Sequence, residues 1–97
     1  MPITNKHKRL LAEALSRKVF RTERDVVLRK LDVPGMEALF KRHGVPLPVY
    51  TTPKTPYAIM HKARVMLDTF TETEKVESRT WLLQNGFELP KEDGVSK

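Results

Sequence analysis

Between Gly44 and Lys54 the chain reads GVPLPVYTTPK, and this stretch limits the fold more than any other. Pro46, Pro48 and Pro53 have no backbone N–H to donate, and each fixes its own φ. Thr51 and Thr52 add β-branched side chains that resist helix formation. No helix can pass through such a segment. It predicts an extended, polyproline-like connector, with any packed elements lying before and after it.

Before the connector, Leu11, Ala14, Leu15 and Val19 recur at helical spacing and Leu10 widens the stripe, which predicts a first helix from Asn5 to Val19 capped by Thr4 or Asn5. Thr22, with Asp25 three residues on, reads as the cap of a second helix over Glu23 to about Leu31, burying Val27, Leu28 and Leu31. The sequence LDVPG then turns the chain. Pro34 suits the first turn of a third helix that ends at Arg42 or His43 and buries Met36, Leu39 and Phe40, with Asp32 or Val33 at its cap. After the connector, Thr55 and Pro56 start a fourth helix reaching about Phe70, with Ile59, Met60, Ala63, Met66, Leu67 and Phe70 on one broad face. Thr71 and Glu74 form a capping box for a fifth helix ending near Asn85, its apolar positions being Val76, Trp81, Leu82 and Leu83. The expected fold is all-α. It is a compact bundle of about five short helices in a single helical domain: a basic part at 4–43, the connector at 44–54, a helical hairpin at 55–90 and a frayed tail at 91–97.

Two of the expected helix endings match. In ALFKRHGVPLP and TWLLQNGFELP, Gly44 aligns with Gly86, Leu47 with Leu89 and Pro48 with Pro90. A glycine in the left-handed conformation followed by an apolar residue (Val45, Phe87) predicts a Schellman closure at each place, and the proline stops the helix from resuming. Duplication of a helix-turn-helix unit and independent arrival at the same closure account equally well for these identities.

Composition narrows the function. The chain has 97 residues, enough for one core but not for a core around a deep cleft. It has no cysteine, hence no disulfide and no thiolate metal site. His7, His43 and His61 lack ligand spacing, there is no glycine-rich phosphate loop, and no serine lies in a nucleophile motif, so neither an enzyme nor a cofactor is expected. No apolar run approaches the roughly 20 residues of a membrane span, and the basic start is not followed by an apolar stretch as in a secretory signal. A cytoplasmic location, with no membrane partner, is the expectation.

The charge is informative. Residues 1–49 hold eleven Lys or Arg against five acids, a net +6, and residues 50–97 hold seven of each, so the whole excess lies in the first half. Such asymmetry favours an anionic partner. The short helix, tight turn and second helix over Thr22 to Pro48 resemble a helix-turn-helix element, although Asp32 stands where that element usually has a turn glycine, and Pro34, Gly35 and Met36 offer little to a base edge. The resemblance implies a small DNA-binding regulator of the kind carried by phages and other mobile elements. Lys6, Lys8, Arg9, Arg17 and Lys18 are the expected phosphate contacts, with Lys41 and Arg42 at or near the groove. DNA is favoured over RNA. The alternative is an interaction module for an acidic protein, such as a polymerase inhibitor or adaptor. Trp81 and Leu82 crowd one stripe of the fifth helix with apolar side chains, which marks them as a candidate partner or homodimer face.

Overall fold

The computed structural model describes residues 5–90. Thr4 as a cap and the frayed tail at 91–97 lie outside them. The fold is all-α, with five helices and no strand among the described residues: α1 (Asn5–Leu15), α2 (Lys18–Lys30), α3 (Val33–Arg42), α4 (Thr55–Met66) and α5 (Glu72–Gln84). The chain divides into two units, 1–51 and 52–97, and the boundary falls inside the proline-rich connector.

The first unit holds α1, α2 and α3. Its core is Ala14, Phe20, Leu39 and Val45, with Leu11, Leu15, Val27 and Phe40 packed against it. The expected first helix stops four residues early. Ser16 turns its hydroxyl onto the Glu13 carbonyl at 2.6 Å, and Arg21 Nη1 donates to the Leu15 carbonyl at 2.8 Å. These bonds satisfy acceptors that the next helical turn would otherwise have used. Arg17 is extended and α2 begins at Lys18, five residues before the expected start, so Thr22 lies within the helix and caps nothing. The break rotates Phe20 into the core, where it meets Phe40 at 6.0 Å, and leaves Val19, expected to face inward, 58% exposed.

The turn between α2 and α3 is a Schellman closure built on a leucine. Leu31 adopts φ 53°, with its N–H on the Leu28 carbonyl at 3.2 Å and the Asp32 N–H on that of Val27 at 3.0 Å. Asp32 then caps α3, accepting from the Gly35 N–H at 3.0 Å. A Cβ on Gly35 would run into that carboxylate, so the glycine belongs to the cap. At the end of α3, Gly44 takes φ 70° and the Val45 N–H reaches the Phe40 carbonyl at 2.9 Å, the closure expected there. Tyr50 donates its hydroxyl to Glu37 at 2.8 Å, fastening the connector to α3. Burial, with that bond, pushes the Tyr50 phenol up to about 12.

The second unit is the α4–α5 hairpin. Ala58, Val65 and Leu82 form its core, with Trp81 and Phe87 against them. Thr55 is the first helical residue rather than the cap. Its hydroxyl accepts from the Thr52 N–H at 3.0 Å, ordering the turn that enters α4. The helix ends at Met66, short of Phe70, because Leu67 turns extended. Met66, expected inside, is exposed. The Thr71–Glu74 capping box is formed in both directions. Gly86 at φ 81° closes α5, with the Phe87 N–H on the Leu82 carbonyl at 2.9 Å.

One polar pair lies within this second core. His61 Nδ1 and Ser78 Oγ are 2.9 Å apart, and both residues are buried. The His61 ring stacks on Trp81 at 4.5 Å. Burial, and secondarily the Arg64 charge, lowers the His61 pKa to about 4.

Two expectations follow. At Gly44 and Gly86 no atom lies within 4 Å of where a Cβ would stand, so alanine there costs only backbone strain. Gly44→Ala and Gly86→Ala should each destabilise the protein by about 1–2 kcal/mol in urea titrations. For His61 the folded pKa lies below the unfolded value of about 6.5, so its contribution to stability is complete above that value and is lost as pH falls toward 4. Melts followed by Trp81 fluorescence should lose about 3 kcal/mol across that window, and His61→Leu should flatten the profile.

Candidate nucleic-acid interface

The α2–α3 hairpin is antiparallel, so the end of α3 returns to the start of α2. His43, the last residue of the turn closing α3, comes within 3.1 Å of Arg17 Nη1 through its Nδ1. A guanidinium only donates, so Nδ1 accepts and the ring proton is on Nε2. That nitrogen faces Glu23 Oε1 at 3.5 Å, and the other oxygen of Glu23 meets Arg42 Nη2 at 3.2 Å. The result is a chain of contacts, Arg17–His43–Glu23–Arg42, crossing between the two helices. The hydrogen bond from Arg42, with His43 adding to it, holds the Glu23 carboxyl below its ordinary range. The His43 ring also stands edge-on to Phe20 at 5.0 Å, which ties the polar chain to the core.

This arrangement gathers four of the cations expected to bind nucleic acid. Arg17 and Lys18 sit at the start of α2, and Lys41 and Arg42 at the end of α3; all four are exposed. Glu23 is the carboxylate among them. The other acids of α2 and α3 are engaged elsewhere: Asp25 pairs with Arg24 at 2.9 Å, and Glu37 accepts from Tyr50. No side chain caps α2 and no acid lies in its first turn, so the positive end of its dipole adds to the cluster.

The remaining candidates lie apart from it. Lys6, Lys8 and Arg9 are exposed in the first turns of α1, which the rise of a helix places about 9–14 Å from the end nearest Arg17. They add exposed cations to the start of a helix with no acid in its first turn. On α3 the exposed positions are Pro34, Ala38, Lys41 and Arg42, so its two cations stand together at one end and the guanidinium of Arg42 is turned to Glu23. The expected partner face on α5 changes character. Leu82 is 0% exposed, and the exposed neighbour is Leu83, at 62%. Trp81 is half-buried and stacked between His61 and Phe87, at 4.5 Å and 5.8 Å. Its apolar surface is used inside its own unit.

Sequence reading missed the roles of His43 and Glu23. They are 20 positions apart and joined only by the return of α3, which leaves no periodic signal. Among the described residues, the serine–histidine contact of Ser78 with His61 lies buried in the second core. Among the described residues no group of three or more His, Asp or Glu could hold a metal ion, and no helix is long and apolar enough to cross a membrane.

Comparison with protein-family models, curated proteins and solved structures gives no match for this chain.

The contact chain has a measurable weight. His43→Ala removes the ring against Phe20 and the acceptor of Arg17, and should cost about 1–2 kcal/mol in urea unfolding. Lys18→Ala on the same surface should stay within about 0.5 kcal/mol of the parent protein.

Proposed function

We propose that this chain is a small DNA-binding regulatory protein, acting by binding and not by catalysis, that docks its first unit on the phosphate backbone. The observation that carries this reading is the joining of Arg17 and Arg42 across the α2–α3 hairpin through His43 and Glu23, with the exposed Lys18 and Lys41 next to them in the chain. Cations scattered evenly and each neutralised by an acid would give a polyanion no place to dock. Here the acids of α2 and α3 are occupied, and the cluster keeps a net positive charge beside an uncapped helix start. Lys6, Lys8 and Arg9 add exposed cations on α1. A cytoplasmic location accompanies this reading.

The test is a fluorescence-anisotropy titration of a mixed-sequence duplex between 50 and 200 mM salt. The affinity should fall with a log–log slope of about −4 or steeper, as expected when at least four phosphates are neutralised. Arg17→Ala and Lys41→Ala should each reduce the slope by about 0.9, and Lys75→Ala in the second unit should leave it unchanged. Absence of binding at 50 mM salt would overturn the reading.

A further inference from the structure

The cluster just described occupies one end of α2 and leaves the rest of that helix's outward face unused. The exposed residues of α2 are Lys18, Val19, Arg21, Thr22, Val26, Arg29 and Lys30. Val19 and Val26 stand two turns apart, 58% and 47% exposed. Phe20 and Leu28 are buried on the opposite side. Val19 and Val26 are the apolar side chains among the exposed residues of this helix.

The chemistry along the face follows an order. Cations stand at its two ends, Lys18 at the start and Lys30 at the finish, about 18 Å apart along the axis. Arg21, turned back onto the Leu15 carbonyl, stands near Lys18 and Arg29 stands beside Lys30, and the exposed positions in the middle, Thr22 and Val26, are uncharged. The two acids of the helix, Glu23 and Asp25, are each held by an arginine. An acidic helix from a partner protein would spread its charge along the whole contact. Duplex DNA presents a different profile, with a phosphate wall on either side and a floor of base edges between. The major groove is about 12 Å wide, and only there does thymine offer a methyl group. A face charged at its ends and apolar or hydroxylated in its middle matches that profile. The exposed positions of α3, Pro34, Ala38, Lys41 and Arg42, carry cations at one end only and do not.

We propose that α2, not α3, is the helix that seats in the major groove, with Lys18 and Lys30 on the opposing phosphate walls and Val19 and Val26 against thymine methyls. This rests on the DNA-binding reading and adds to it a helix, a groove and a base preference.

Two polymers separate the two claims. Alternating poly(dA-dT) offers a methyl at every step, and poly(dA-dU) has the same backbone and base pairing without it. The parent protein should bind the methylated polymer about 4-fold tighter for each methyl buried. Val19→Ala/Val26→Ala should bring that ratio to one and keep the salt slope, because both side chains are exposed and neither contacts phosphate. Val26→Thr, which keeps the shape and adds a hydroxyl, should lower the ratio part of the way. Lys30→Ala should reduce the slope by about 0.9 on both polymers. A ratio of one for the parent protein with its salt slope intact would overturn the assignment of α2 and leave the DNA reading standing. So would a ratio that survives the double substitution. No binding to either polymer at low salt would overturn both, as would uptake of an acidic, leucine-bearing peptide by this face in place of either duplex.

Discussion

The return of α3 against α2 depends on one backbone conformation, the left-handed turn at Leu31. A non-glycine residue costs roughly 1–2 kcal/mol there, and two closing hydrogen bonds with the Asp32 cap offset it. Without that turn α3 would leave in another direction. Arg42 and His43 would then not meet Glu23, and the ring of His43 would not cover Phe20. The basic cluster is therefore a product of the hairpin and not of local sequence. Each pair of cations contributes little alone; together, held by a shared carboxylate and an imidazole, they define a place.

Much of the fold is legible in the residues, for identifiable reasons. Prolines and capping residues act locally, so the connector, the Thr71–Glu74 box and the closures at Gly44 and Gly86 could be read directly. The misreadings of Val19 and Met66 share one cause. Val19 and Met66 fit a helical stripe by spacing, and spacing cannot report that a helix has already stopped or turned its face. The break at Ser16 and Arg17 is fixed by Arg21 reaching back to the Leu15 carbonyl, a contact with no sequence signature. Leu31 escaped because the left-handed turn is normally sought at glycine.

The candidate site was legible only as an inventory. That the first half of the chain carries the charge is plain from composition, and four of the seven nominated cations converge. Which four, and through which partners, follows from the antiparallel hairpin. The apolar character of Trp81 and Leu82 was equally plain, but its destination was not: Leu82 fills the second core, and Trp81 is stacked between His61 and Phe87. A crowded apolar stripe has the same appearance in sequence whether it meets another chain or its own.

The pairing of Asp32 with Gly35 carries a consequence for how the chain can diverge. The carboxylate occupies the space that any side chain at position 35 would need. A side chain at position 35 would push that carboxylate aside and forfeit the bond that caps α3, so the cap and any residue larger than glycine at position 35 exclude each other.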